Sequence, residues 1–235
     1  MIEIKLDHLA LGLHSPGEAE PFLEGVLGGT KAGGAGDTPP FGFMQWVFAG
    51  GGRVEVIYPV GDGGFLQRFL GRGGPRVHHV TFKVSSLDAM LERAQTLGYD
   101  IASLDRSDPH WQEAFLHPKQ AQGIVVQLVE HVASPDGFDP ALARPRASAA
   151  RVVGPRLLAR SAEAARRQWG ELMGGSEARH GSALVFAWPD SPLVITVDID
   201  VSAEPGPRHI EVTAGHRLAI PEGAVRGLGT RFVQV

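Results

Sequence analysis

Alternation of apolar and polar positions opens the chain. Ile2, Ile4, Leu6, His8 and Ala10 share one parity while Glu3, Lys5 and Asp7 take the other, the period-two signature of a half-buried strand. Ser15-Pro16 then predicts a helix start, Phe22, Leu23, Val26 and Leu27 follow at helical spacing, and Gly28-Gly29 ends the helix. The Gly- and Pro-rich run from Thr30 to Pro40 reads as a connector or mobile lid, because it lacks the strand-loop-helix context of a phosphate cradle. Phe41–Phe48 and Arg53–Tyr58, joined by Ala49-Gly50-Gly51-Gly52, predict a hairpin. In its second arm Glu55 is flanked by Val54, Val56 and Ile57, and a carboxylate so placed requires a partner.

The pattern then repeats. Along the strand Val77–Val84, alternation sets His79 with Thr81 and Lys83, and turns His78 with Val80, Phe82 and Val84 toward the apolar layer. Ser85 and Asp88 predict a capping box, and Leu87, Met90, Leu91, Ala94 and Leu97 mark an amphipathic helix that Gly98 ends. Two strands follow, Trp111–His117 and Gly123–Glu130, the latter with Gln127 as the polar residue inside Ile-Val-Val-Gln-Leu-Val. Each half of residues 1–130 is therefore strand, helix and a run of strands. His8 precedes Glu55 by 47 residues and His79 precedes Gln127 by 48, spacings that agree with duplication.

Residues 132–150 carry Pro, Ala, Ser and Gly with little periodicity and read as a linker between a domain over 1–131 and another over 151–235. The second domain repeats the unit. Leu157–Ala159 precedes Ser161, the helix Ala162–Met173 ends at Gly174-Gly175, and Ala183–Trp188 with Leu193–Asp198 forms a hairpin. Pro207-Arg208-His209-Ile210-Glu211-Val212 echoes Pro75-Arg76-Val77-His78-His79-Val80, and the chain ends on Phe232-Val233-Gln234-Val235, an echo of Val125-Val126-Gln127-Leu128. The picture is four related units, the last two degenerate and the fourth without its helix. An overlay sets Gly154 opposite His8 and Ile195 opposite Glu55, leaving His209 and Gln234 as remnants and the 151–235 half with a structural role.

Composition narrows the chemistry. A 43% hydrophobic, 20% charged chain with a net charge of −4 is globular and lacks the basic footprint of a nucleic-acid binder. The absence of cysteine excludes disulfides, thiolate metal sites and a Cys nucleophile. No apolar run approaches the ~20 residues that span a bilayer, and the first residues enter a strand pattern directly, so a cytoplasmic protein without membrane contact is expected. No nucleophile-elbow motif supports hydrolase chemistry.

What stands out is the recurrence of His8, Glu55, His79 and Gln127 at matching places on four strands. Each would cost roughly 1–3 kcal/mol if buried without a partner. Converging on one point, two imidazoles, a carboxylate and an amide oxygen suit a divalent cation such as Ni, Co, Mn, Fe or Zn. Gln45, Trp46, Trp111 and Glu113 are weaker candidates for a substrate pocket, and His110 for acid-base work; turn formation accounts for His117-Pro118-Lys119.

Residues 1–130 resemble the vicinal oxygen chelate superfamily, which includes glyoxalase I, extradiol dioxygenases, bleomycin-resistance proteins and methylmalonyl-CoA epimerase. The resemblance rests on Leu6-Asp7-His8-Leu9-Ala10, Val54-Glu55-Val56-Ile57-Tyr58-Pro59, His78-His79-Val80-Thr81-Phe82, Ala114-Phe115-Leu116-His117-Pro118-Lys119 and Gly123-Ile124-Val125-Val126-Gln127-Leu128, and is strongest toward the epimerase and glyoxalase I branches. It implies an α+β chain of four tandem βαβββ modules in two pseudo-related cup-shaped domains, the C-terminal one degenerate. It also implies His8, Glu55, His79 and Gln127 as metal ligands, with Glu55 doubling as base. A chain holding its own pseudo-dimer would be a monomer or a homodimer binding a small molecule. Two departures bear on the reaction: Gln127 stands where these enzymes carry Glu, and Gln45 stands at the epimerase's catalytic glutamate. The implied activity is a metal-dependent lyase or isomerase acting on a small carbonyl or thioester through an enediolate. A non-catalytic binding protein and an extradiol-type dioxygenase remain as alternatives.

Overall fold

The computed structural model describes residues 2–36, 39–132 and 143–235; of the expected linker, 133–142 lie outside the described residues. Eight strands, β1 (Ile4–Gly12), β2 (Thr30–Ala35), β3 (Phe41–Val47), β4 (Arg53–Pro59), β5 (Arg76–Val84), β6 (Ile101–Asp108), β7 (Trp111–Leu116) and β8 (Val125–His131), form a mixed sheet in the order β2-β3-β4-β1-β5-β8-β7-β6. Six more, β9 (Arg151–Ala159), β10 (Ser176–His180), β11 (Ala183–Ala187), β12 (Val194–Ile199), β13 (Gly206–Thr213) and β14 (Phe232–Gln234), form a second in the order β10-β11-β12-β9-β13-β14. The helices are α1 (Glu20–Leu23), α2 (Phe65–Gly73), α3 (Leu87–Thr96) and α4 (Ala162–Ala165), the last running on into a π-helical stretch, Arg166–Leu172.

This is an α+β fold of tandem βαβββ modules. In each of the first three the opening strand pairs in parallel with the closing one, as β1·β4, β5·β8 and β9·β12 do, while the three later strands form an antiparallel meander. The fourth keeps the parallel pair β13·β14.

Three strands were not anticipated, and all three fail for one reason. β2, β6 and β10 lie at sheet ends and hold no buried residue, so neither face imposes an apolar period. The run read as a connector or lid is thus an edge strand through Ala35, and its glycines serve close packing: a Cβ on Gly34 would lie 2.0 Å from the Phe43 carbonyl oxygen. Helix α2 was missed because glycines flank it, although Leu66 and Leu70 recur at helical spacing and pack on Ile57. The first helix is shorter than expected, a 3-10 turn over Pro16–Glu18 followed by one turn of α1, and Ser15 makes no side-chain cap. Ser86 caps α3 in place of Ser85, whose hydroxyl accepts the backbone N–H of Glu3. Downstream, Ser161 caps α4 as its sequence position suggests.

By its contacts the chain divides into two compact units. One comprises Met1–Asp7, His79–Gly137 and Gly154–Arg208, so the second module is grouped with the third. Phe82 packs there against the rings of Trp188 (4.9 Å) and Trp169 (6.3 Å), and the Trp188 indole N–H donates to the Met173 carbonyl (2.6 Å). The other comprises His8–His78, Phe138–Val153 and His209–Val235, where Phe22 meets Phe232 at 4.7 Å and the Ala150 N–H donates to the Leu27 carbonyl at 2.8 Å.

His78 packs against the rings of Phe69 (4.6 Å) and Phe65 (5.7 Å). Burial there lowers its pKa to about 4; neighbouring Arg76 acts in the same sense and Glu55 opposes it. The unfolded chain therefore takes up this proton near pH 6.5, whereas the folded chain refuses it until about pH 4. Folding stability contributed by the neutral ring is complete above that window and declines as pH falls through it. Urea midpoints measured from pH 7 to pH 4 should fall more steeply for the wild type than for His78→Leu, and parallel curves would refute this account.

Candidate metal centre

The register of the first sheet carries the duplication into three dimensions. On β1 and β4, Ala10 is the partner of Glu55, and His8 lies two residues earlier on the same face. On β5 and β8, Thr81 is the partner of Gln127, and His79 again lies two residues earlier. His8, Glu55 and His79 are buried, at 2%, 8% and 4% exposure, and each offers a ligand atom within 4.8 Å of the others. Among the described residues this is the one group of three or more His, Cys, Asp or Glu side chains with that closeness.

The His8 and Glu55 side chains stand at ion-pair spacing. His8 Nε2 is 3.6 Å from Glu55 Oε1, beyond hydrogen-bonding distance. Two ligands each about 2.1 Å from one ion lie roughly 3.0–3.6 Å apart, so the pair already has that span. The other carboxylate oxygen, Oε2, accepts from Gln45 Nε2 at 2.8 Å across the β3·β4 ladder. One oxygen is thus held by an amide while the other stands near the imidazole.

Gln127 is also buried, with both ends of its amide engaged. Its Oε1 accepts from the Thr81 hydroxyl at 2.6 Å, and its Nε2 donates to Glu113 Oε2 at 2.6 Å. Glu113 Oε2 also accepts the Trp111 indole N–H at 2.9 Å, so two of the weak pocket candidates are joined to Gln127. Trp46 goes elsewhere. Adjacent to Gln45 on β3, it turns to the opposite face, is fully buried and donates its indole N–H to Glu24 at 2.9 Å, so it is core. His110 is exposed in a turn, its backbone N–H on Asp108, and the His117 ring accepts the Lys119 N–H, the turn-making role expected of it. The contributor that sequence reading passed over is Thr81; its signal was parity, two residues beyond His79 on the same face.

The C-terminal half lacks the donor set. Arg156 pairs with Thr196, so by the register of the other modules Thr196, not Ile195, holds the place of Glu55. A slip of one residue reverses the face of a strand, and Ile195 is fully buried. Val233 pairs with Glu211 and so takes the place of Gln127, while Gln234 binds the Leu218 N–H (2.9 Å) and the His216 carbonyl (2.6 Å). Where His8 would have a counterpart stands Gly154. On these strands the fixed charge is internal: Arg156 makes a bidentate pair with Asp198 at 2.7 and 2.6 Å.

Residues 7–115 match the family model described as the Glyoxalase/Bleomycin resistance protein/Dioxygenase superfamily. Over those residues the chain is similar to that superfamily. The mitochondrial methylmalonyl-CoA epimerase of Homo sapiens is 25% identical over 134 residues, 53% of this chain and 72% of that protein. A hypothetical protein of Bacillus halodurans C-125 shares the fold at 22% identity, a TM-score of 0.51, and coverage of 57% of this chain and 99% of its own. A mutant 4-hydroxymandelate synthase from Streptomyces coelicolor superposes on 92% of this chain and 72% of its own, with a TM-score of 0.66 at 16% identity. That likeness concerns the fold and takes in both halves of the chain. Members of the superfamily bind small molecules, and among the described residues no helix is long and apolar enough to cross a membrane.

Proposed function

We propose that this chain is a metal-dependent lyase or isomerase of the glyoxalase or epimerase type, which removes a proton next to the carbonyl of a small carbonyl compound or thioester. The observation that carries this reading is the buried His8, Glu55 and His79 group. A bound dication (Ni, Co, Mn, Fe or Zn) would act as a Lewis acid on the substrate carbonyl. The protein's own part is to hold two imidazoles and one carboxylate on a buried face and to provide the base. Glu55 serves as that base, since the Gln45 amide beside it takes no proton at neutral pH and instead fixes the carboxylate from behind. The epimerase relative supports this class of reaction, and residues 151–235 serve a structural role.

The test is metal analysis of the purified protein together with exchange of the substrate's α-proton in D2O, followed by NMR across a panel of small 2-oxo compounds and acyl thioesters. Wild type loaded with Co, Ni or Mn should wash out the α-proton of one of them, and Glu55→Gln should lose the exchange by at least 100-fold. Protein that stays metal-free at saturating Ni, Co and Mn would sink the proposal. A second reading draws on the donor set itself, because two histidines and one carboxylate also suit non-haem Fe(II) oxygenases. Oxygen consumption with Fe(II) and catechols, without α-proton exchange, would favour it.

A further inference from the structure

Gln127 and Glu113 raise a question that the proposed metal site does not answer by itself: which end of the Gln127 amide faces the strand of His79. A primary amide presents an oxygen one way up and an NH2 group the other, and only the oxygen binds a cation. Thr81 does not decide between them. Its hydroxyl donates to Gln127 Oε1 at 2.6 Å, and a hydroxyl satisfies a reversed amide equally well by accepting from its NH2. Glu113 does decide. An ionised carboxylate only accepts, so the group 2.6 Å from Glu113 Oε2 must be the amide nitrogen, and the oxygen then has to point back toward β5.

The placement of Glu113 shows that this contact is specific to the second module. In the first module the amide-carboxylate pair is directly cross-strand, Gln45 against Glu55. In the second module the residue directly opposite Gln127 is Phe115, which offers no hydrogen bond, and Glu113 faces Val129 two residues further along, on the same face. The carboxylate therefore reaches Gln127 diagonally, a distance long side chains cover, and the Trp111 indole N–H on the same oxygen holds it there. The order of the pair is also inverted: the first module has its carboxylate on the closing strand and its amide on the neighbour, and the second has the reverse.

We infer that Glu113 is a positioning residue that keeps the oxygen of the Gln127 amide turned toward β5, so that the fourth donor of the metal site is an oxygen. This rests on the metal reading above. The test is a double-mutant cycle in Co(II) affinity, measured by calorimetry on the full chain. Glu113→Ala should weaken binding by 10- to 100-fold, as loss of a ligand's supporting partner does, and should weaken it no further in a Gln127→Ala background. The paired exchange Glu113→Gln with Gln127→Glu should restore binding to at least the wild-type level, because a carboxylate presents oxygen in either orientation; a merely structural loss would not be rescued this way. Unchanged affinity in Glu113→Ala, or equal weakening with and without Gln127, overturns the inference. In metal-free protein, the Gln127 side-chain NH2 should exchange slowly in 15N spectra and faster after Glu113→Ala. No change there refutes the orientation even if the chain binds metal, whereas slow exchange in a wild type that binds no metal refutes the metal reading alone.

Discussion

Cobalt(II) or manganese(II) at about a thousand times its dissociation constant should raise the unfolding free energy by about 4 kcal/mol, on the order of 10 °C in melting temperature for a chain of this length. The size follows from linkage: an ion held by the folded chain and not by the unfolded one stabilises by RT times the logarithm of one plus the ratio of free ion to its dissociation constant. His8→Leu and His79→Leu should each reduce the shift to near zero. Each replaces a buried polar ring with an apolar side chain and leaves its partners, Glu55 in the case of His8, without it, so metal-free stability should fall by about 1–3 kcal/mol. The decisive readout is the response itself, because a destabilised variant that keeps its ligands still gains stability from the ion, and a variant that has lost a ligand does not, whatever its metal-free melting temperature. EDTA should return the wild type to its metal-free value. A shift that survives undiminished in both leucine variants would place the bound ion somewhere other than the His8, Glu55 and His79 group.

The parts of this chain that were legible from sequence are those where one strand face is buried. His8, Glu55, His79 and Gln127 interrupt apolar strands at intervals of 47 and 48 residues, and the ladders place each closing-strand residue against the position two beyond its histidine, as the near-equal spacings imply. Edge strands β2, β6 and β10 escaped because exposure on both sides removes the period that betrays a strand. Trp46 was misplaced because composition alone does not tell a pocket aromatic from a core one; its parity relative to Gln45 did carry that information. In the C-terminal half the overlay was anchored on a helix and slipped by one residue at β12 and at β14, an error invisible without the ladder and enough to exchange Thr196 for Ile195. The commitment of the Gln127 amide to Glu113 is a diagonal contact between strands, and no sequence period encodes it.

Gly154→Ala should destabilise the chain by about 3 kcal/mol or more, lowering its melting temperature by on the order of 10 °C. Gly154 has φ +147, a region that residues with a Cβ rarely enter, and an added Cβ would stand 1.9 Å from the Val194 carbonyl oxygen and 3.0 Å from its carbon. Those are backbone atoms of β12, whose ladder with β9 runs through the Arg156 and Thr196 pair, so relief requires parting two strands. Gly71→Ala is the control: it lies in α2 with nothing within 4 Å of the new Cβ, and the same methyl group there should be neutral or stabilise by up to about 1 kcal/mol. The difference between these variants bears on why the C-terminal half lacks a counterpart of the His8, Glu55 and His79 group. If backbone closure at Gly154 is what keeps the counterpart of His8 from existing, then no larger side chain is tolerated there, and a transplanted histidine will unfold the strand pair before it binds anything. If Gly154→Ala melts with the wild type, β9 and β12 have room between them, and the missing group must be ascribed to Thr196 and Val233 alone.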